Sequence, residues 1–342
     1  MHHMQYKRLG NSGLRVSEIA LGTMTFGTEW NWGADYENSK AQFDAFAQRG
    51  GNFIDTANRY TEGTSERFVG EFIKSDRNYW VVATKYTLFN RLGDPNASGN
   101  HRKNLVQSLE ASLKRLGTDY VDVFYLHAWD NLTPIEEVMR ALDDVVRAGK
   151  ALYIAISDTP AWIVAQGQTL AQLRGWSPFI GLQVEYSLLQ RTPERELLPM
   201  AKAMGLGIAA WAPLAGGALT GKYLKNAEEQ GRVAAHSARR NEQATRITQA
   251  VVEVAEKLKV SAAQVATNWV RQKQQTVIPI IGARTPQQLE DSLGCLDFVI
   301  PEAEMALLDE ISAIELGFPH DFLKSPAIQN IVYAGMRDRI AD

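Results

Sequence analysis

Cysteine is almost missing. Cys295 stands alone in 342 residues, so no disulfide can form within the chain and a reducing compartment is its natural setting. An excess of one charge is missing too: 36 basic against 39 acidic residues leave a net charge of −3. That balance excludes a field strong enough to make nucleic acid or an anionic membrane the main partner. No apolar run approaches the roughly 18 residues a spanning helix requires, and no signal-like start is evident. No H-x-x-x-H or C-x-x-C pair occurs, and His101, His127, His236 and His320 are scattered, so no metal site is expected. A G-x-G-x-x-G turn after the first strand is lacking as well. The glycines of LGTMTFGTEWNWG have the wrong spacing, which speaks against a doubly wound dinucleotide fold. These absences lead to the expectation of a soluble cytoplasmic protein with no membrane and no nucleic-acid partner.

What is present is a strong alternation of elements. A hydrophobic content of 45% allows a sizeable core. Met1-His2-His3-Met4 reads as start residues outside the fold. Residues 5–21 alternate around the turn Gly10-Asn11-Ser12-Gly13, which predicts a short β-hairpin. Short apolar strands are then predicted at 18–23, 52–57, 80–85, 121–127, 151–157, 179–186, 206–213 and 276–282. Helical patterns separate them. In RKNLVQSLEASLKRLG, Leu105, Leu109, Ser112, Leu113 and Leu116 share one face and Gly117 ends it. In IEEVMRALDDVVRAGK, Glu136 and Glu137 near the start and Arg147 and Lys150 near the end complement the helix dipole. Eight such β/α units close most simply as an α/β (β/α)8 TIM barrel, expected as one domain over 5–342. Only 222–246 breaks the pattern, polar and basic at its end; it follows the seventh barrel strand and is expected to be a mobile flap.

Chemistry in such barrels gathers at the C-terminal ends of the strands. There the sequence sets Asp55 and Tyr60 in NFIDTANRY, Lys85 in WVVATKY and His127 in VDVFYLH, at three successive strand ends. A phenol is a weak acid, with a pKa of about 10. A nearby Lys85 ammonium is expected to lower it, Asp55 to hold Lys85 charged, and His127 to hydrogen-bond a substrate oxygen. Each residue alone has an ordinary reading, Asp55 as a turn or cap residue and Tyr60 as packing. Lysine at the end of an apolar strand is the exception, since lysines are rarely buried unpaired. The constellation suits proton delivery to a carbonyl while a hydride arrives from elsewhere.

NFIDTANRYTEGTSERFVGEFI, WVVATKY, SLKRLGTDYVDVFYLHAWD, LQVEYSLLQR, WAPLAGGALTGKY and IPIIGARTPQQLEDSL together resemble the aldo-keto reductases, over about residues 6–314 and in order. The resemblance implies a (β/α)8 barrel that binds NADPH (NADP+), less often NADH, and reduces a small-molecule carbonyl substrate, an aldehyde or ketone, to an alcohol. It implies catalytic roles for Asp55, Tyr60, Lys85 and His127. It implies a nicotinamide carboxamide site at Ser157, Asp158 and Gln183, with Trp211 against the ring; an ordinary core Trp is the other reading. Position 158 is more usually Asn, and an ionised Asp cannot donate to the carboxamide oxygen. Either that contact differs or Asp158 serves a neighbour.

The same resemblance assigns the pyrophosphate to Ala212, Pro213, Leu214, Gly216, Leu219, Gly221 and Lys222. Glycines there admit backbone N–H groups to phosphate oxygens, and a lysine adds charge. The adenosine 2′-phosphate falls to Gly282, Ala283, Arg284, Gln288, Asp291 and Ser292. Many relatives carry a basic residue where Gln288 stands, a charge that Arg284 can supply. Arg232, Arg239 and Arg240 on the flap are either phosphate-reaching cations or a solvated charged face. Trp30, Trp32, Tyr86, Phe89 and Trp129, in loops just after strands, are expected to line a substrate pocket suited to apolar or aromatic bodies. The barrel also resembles the cytoplasmic β subunits of voltage-gated potassium channels, which leaves a nucleotide-binding regulatory subunit as the alternative.

Overall fold

Side chains on a β-strand alternate between two faces, so a strand buried on both sides must be apolar at every position. The computed structural model, which describes residues 4–225, 237–273 and 277–341, meets that demand over most of the barrel strands; the polar exceptions are Asp122 and, towards the C-terminal ends, Asp55, Thr84, Lys85, Ser157, Gln183 and Glu185. A hairpin of β1 (Tyr6–Arg8) and β2 (Arg15–Ser17) precedes the barrel strands β3 (Ala20–Gly22), β4 (Phe53–Asp55), β5 (Val81–Tyr86) and β6 (Val121–Leu126). Then come β7 (Ala151–Ser157), β8 (Phe179–Glu185), β9 (Gly207–Trp211) and β10 (Val277–Ile281). Strands β3 to β10 are all parallel and close on themselves, β10 pairing with both β3 and β9. The expected (β/α)8 TIM barrel with an N-terminal hairpin is what forms.

Two hydrophobic layers follow from the strand parity. Phe53, Val81, Ala83, Val123, Tyr125, Ala155 and Ala209 fill the barrel interior. Their neighbours Ile54, Val82, Phe124, Ile154, Ile156 and Ile208 face outward and pack under the helices. Helix Arg102–Leu116 buries Leu105, Leu109, Ser112, Leu113 and Leu116, and ends at Gly117 as its periodicity requires. Helix Ile135–Arg147 carries Glu136 and Glu137 in its first turn and Arg147 in its last. On β5 the parity puts Val81, Ala83 and Lys85 inside and Val82, Thr84 and Tyr86 outside.

The hairpin plugs the N-terminal end. Leu9 and Val16 join the interior layer, and the Asn11 N–H donates to the Gly205 carbonyl at 2.7 Å. Gly10 has φ +57°, and a Cβ there would stand 2.3 Å from the Ile180 carbonyl oxygen, so only glycine fits this closure. The opposite, C-terminal end is where the strands present polar side chains. Two boundaries differ from expectation. Met4, set aside with the start residues, is 5% exposed and packs in the outer core. Of the expected flap, Lys222–Lys225 form a helical turn and 242–246 open the helix Glu242–Leu258, which begins at the Asn241 cap. Residues 226–236 of the expected flap, Arg232 among them, lie outside the described residues.

Candidate active site

Register brings the polar strand ends together. Asp55 pairs with Gly22 on one side and Ala83 on the other, and Lys85 lies opposite Tyr125 on β6. Lys85 is fully buried, an expensive position for an ammonium unless its hydrogen bonds are all answered. They are. Nζ donates to Asp55 Oδ2 at 2.7 Å, to the Thr56 carbonyl at 2.9 Å and to Tyr60 Oη at 3.1 Å. The second Asp55 oxygen, Oδ1, accepts from Gln183 Nε2 at 2.8 Å, so both carboxylate oxygens are fixed from opposite sides of the barrel.

Tyr60 is placed by a turn that only its surroundings can hold. Immediately after it, Thr61 and Glu62 adopt φ of 45° and 55°, left-handed values that are unfavourable for a β-branched residue. The Thr61 hydroxyl donates to the Phe26 carbonyl, and Arg59 pairs with Glu62, which together pin the turn. His127 meets Tyr60 edge to face with ring centroids 5.9 Å apart. Among the described residues its buried Nδ1 has no hydrogen-bond partner, and the residue lines the cavity.

Charge in the cluster follows from burial. Burial works against the Lys85 ammonium, but Asp55 and Tyr60 outweigh it and hold its pKa above the ordinary value. Burial, and then the Lys85 charge, bring His127 down to about 3, so its imidazole is neutral near pH 7. The Tyr60 phenol is pushed up from 10.0, first by burial and further by Asp55 and Asp158, with Lys85 only pulling it part of the way back. This reverses the expectation of a phenol made more acidic than usual. One cation already paired with its own carboxylate does not offset the partial burial of the phenol at the cavity floor.

A cavity of about 760 Å³ opens over this cluster. Asp55, Tyr60 and His127 line its floor, while Lys85 sits behind them out of contact. One wall runs outward from Asp158, Gln183 and Trp211 through Ala212, Pro213, Leu214, Gly216 and Lys222. It continues to Gly282, Ala283, Arg284, Gln288, Asp291 and Ser292. Gly216 and Gly217, with φ of 69° and 93°, bend the loop after β9 in a way a side chain would resist. Trp211 gives its indole N–H to Asp158 Oδ1 at 3.0 Å, so the Asp serves a neighbour. Gln288 Oε1 accepts from the Arg284 N–H at 3.1 Å, and Asp291 accepts from Ser261 and Gln264, bracing the far end. Arg239 also lines the cavity and pairs with Glu185 at the end of β8, while Arg240 lies over the Tyr223 ring, 4.2 Å from its centroid. The donor set suits a long dianionic ligand: a flat indole beside the cluster, then Lys222, Arg239 and Arg284 further out.

Several expected positions fall elsewhere. Tyr86 is fully buried outside the barrel, stacked on Phe124 at 5.2 Å with its hydroxyl on the Asn100 carbonyl, because it follows the inward Lys85 and must point the other way. Trp129 packs against the outer core, Trp32 leans on Trp30 with centroids 5.6 Å apart, and Phe89 stacks under the Arg59 guanidinium at 4.3 Å. Of the five aromatics only Trp30 reaches the cavity wall. Ser157, Leu219 and Gly221 are buried behind the wall rather than in it. Met24, Thr25, Arg59 and Leu88 line the cavity and were not anticipated. A signal existed: each lies within three residues of a strand end or of Tyr60.

The comparisons with known proteins agree with this geometry. The model of the Aldo/keto reductase family matches residues 18–313. Norsolorinic acid reductase of Aspergillus flavus is 37% identical over 92% of this chain and 82% of its own length. Norsolorinic acid reductase stcV of Emericella nidulans is 40% identical over 91% of this chain and 82% of its own. Aryl-alcohol dehydrogenase (NADP(+)) of Phanerodontia chrysosporium is 36% identical over 96% of this chain and 91% of its own. These names speak for an oxidoreductase acting on small molecules and do not favour a regulatory channel subunit. The chain belongs to the aldo/keto reductase family.

Proposed function

We propose that this enzyme reduces aldehydes or ketones to alcohols with NADPH, and that Tyr60 is the group that gives the carbonyl oxygen its proton. The observation that carries this reading is the buried chain Asp55–Lys85–Tyr60, with contacts of 2.7 and 3.1 Å, ending on a phenol at the floor of a cavity. A nicotinamide dinucleotide, when bound, supplies the hydride. Trp211, Asp158 and Gln183 would hold its ring end, and Lys222, Arg239 and Arg284 its phosphates; Arg284 favours the 2′-phosphorylated form. The name of the Phanerodontia relative, with its NADP(+), points the same way.

The chain's own residues would act as follows. Neutral His127 donates from Nε2 to the carbonyl oxygen and orients it beside Tyr60 Oη. As negative charge builds on that oxygen, the Tyr60 proton moves across. Even raised above its ordinary value, a phenol is a stronger acid than an aliphatic alcohol, which favours transfer of the proton to the alkoxide. Lys85 then faces a phenolate at 3.1 Å, and its charge stabilises the product state. Met24, Trp30 and Leu88 suit a carbonyl on an apolar or aromatic body.

Tyr60→Phe tests the assignment. It keeps the ring and removes the proton, so turnover of an aldehyde panel is expected to fall by about 10²–10⁴ while NADPH binding by fluorescence titration holds. Turnover equal to that of the parent enzyme would refute the role of Tyr60.

A further inference from the structure

Carboxylates cluster at the tetrad end of the barrel, and most are neutralised. Asp55 is paired with Lys85 and Glu185 with Arg239. Asp158 differs: it lines the cavity, and among the described residues no ion pair includes it. Its Oδ1 accepts the Trp211 indole N–H at 3.0 Å, and its backbone N–H donates to the Gln183 carbonyl at 3.2 Å. Its φ of 41° is left-handed, so the side chain leaves β7 at the rim instead of continuing the strand's alternation. The carboxylate is therefore held in place, facing the cavity, without a cation.

A ring that exchanges hydride with a carbon held by Tyr60 and His127 must lie about 3–3.5 Å from that carbon. On the side leading out to Lys222 and Arg284, the wall next to the tetrad is Gln183, Trp211 and Asp158. Of these only Asp158 carries charge. The two redox states of a nicotinamide differ in that respect: the oxidised ring is a cation and the reduced ring is neutral.

We propose that the Asp158 carboxylate binds the oxidised nicotinamide ring in preference to the reduced one and so drives the step on the enzyme towards carbonyl reduction. The inference rests on the function proposed above. In that reduction the ring gives up two electrons with one hydrogen, the carbonyl carbon takes them, and the oxygen takes the Tyr60 proton. The positive charge that appears on the ring faces an unpaired carboxylate, which stabilises it as it forms. Gln183, being neutral, cannot discriminate in this way. The accompanying effect is tight retention of the oxidised nucleotide after turnover.

Fluorescence titrations with NADP+ and NADPH separate this role from mere positioning of Trp211. Asp158→Asn keeps an acceptor oxygen for the indole N–H and tolerates a left-handed backbone. In that variant Kd for NADP+ divided by Kd for NADPH is expected to rise about tenfold, a shift of about 30 mV for a two-electron couple. Trp211→Phe removes the indole bond but keeps the charge of Asp158 on the cavity wall, so both affinities are expected to fall while their ratio stays within about threefold. An unchanged ratio in Asp158→Asn, including equal weakening of both nucleotides, overturns the proposal and leaves Asp158 as a support for the indole. Failure of the parent chain to bind either nucleotide would instead sink the proposed function, and this inference with it.

Discussion

Replacing Lys85 by methionine removes an ammonium from the driest point of the site while keeping a similar volume. Three hydrogen bonds go at once, to Asp55, Thr56 and Tyr60. Asp55, 2% exposed, is left as a buried carboxylate whose remaining partner is Gln183. Breaking a buried pair by deleting one member costs about 3–5 kcal/mol, because the other charge stays desolvated. Denaturant unfolding of Lys85→Met at neutral pH is expected to show a loss of that size. Turnover should fall further than stability explains, by about 10²–10⁴, since the Tyr60 phenolate loses the cation that faces it. The double variant Asp55→Asn, Lys85→Met distinguishes the two effects. With neither charge present it should regain about 2 kcal/mol or more over Lys85→Met, yet regain no turnover. A double variant as unstable as the single one would refute the claim that an uncompensated Asp55 is what destabilises. A Lys85→Met enzyme with parental turnover would refute the role given to the lysine.

Protonation and packing supply two more tests. An exposed histidine titrates near 6.5, and His127 in the folded chain near 3, so the unfolded state binds the extra proton between those values. The stability contributed by neutral His127 is therefore complete above about pH 6.5 and is lost as pH falls towards 3, amounting to about 2 kcal/mol at pH 5. Urea unfolding at pH 7 and pH 5 should show a smaller drop for His127→Gln than for the parent by about that amount; equal drops would exclude a buried neutral imidazole. Tyr86→Phe removes the hydrogen bond to the Asn100 carbonyl but keeps the stack on Phe124. It is expected to lose about 1 kcal/mol of stability with KM for carbonyl substrates unchanged, and a raised KM would return Tyr86 to the substrate pocket.

Much of this protein could be read along the chain because its signals are local. Eight short apolar runs separated by amphipathic helices admit few arrangements, and the barrel strands fall inside or within a residue of the predicted runs. The tetrad was legible for the same reason: polar residues closing apolar strands stand out against their neighbours. Loop aromatics give no such contrast. Trp30 and Trp32 sit in one loop with one composition, and only packing decides that the first reaches the cavity and the second leans on it. Tyr86 was misplaced although strand parity already held the answer, since residues 85 and 86 cannot face the same way.

Residue order, then, determined the barrel, its N-terminal hairpin and the placing of Asp55, Tyr60, Lys85 and His127 at or just beyond strand ends, because strand and helix periodicity are properties of neighbours. Tertiary structure alone decided the charge state of those groups. Whether Tyr60 rises or falls in pKa depends on how much water closure of the barrel removes and on whether Lys85 is already neutralised by Asp55. Those are sums over residues far apart in the chain, Lys85 and Asp158 acting on Tyr60 among them, and Coulomb energy and desolvation depend on distance in space.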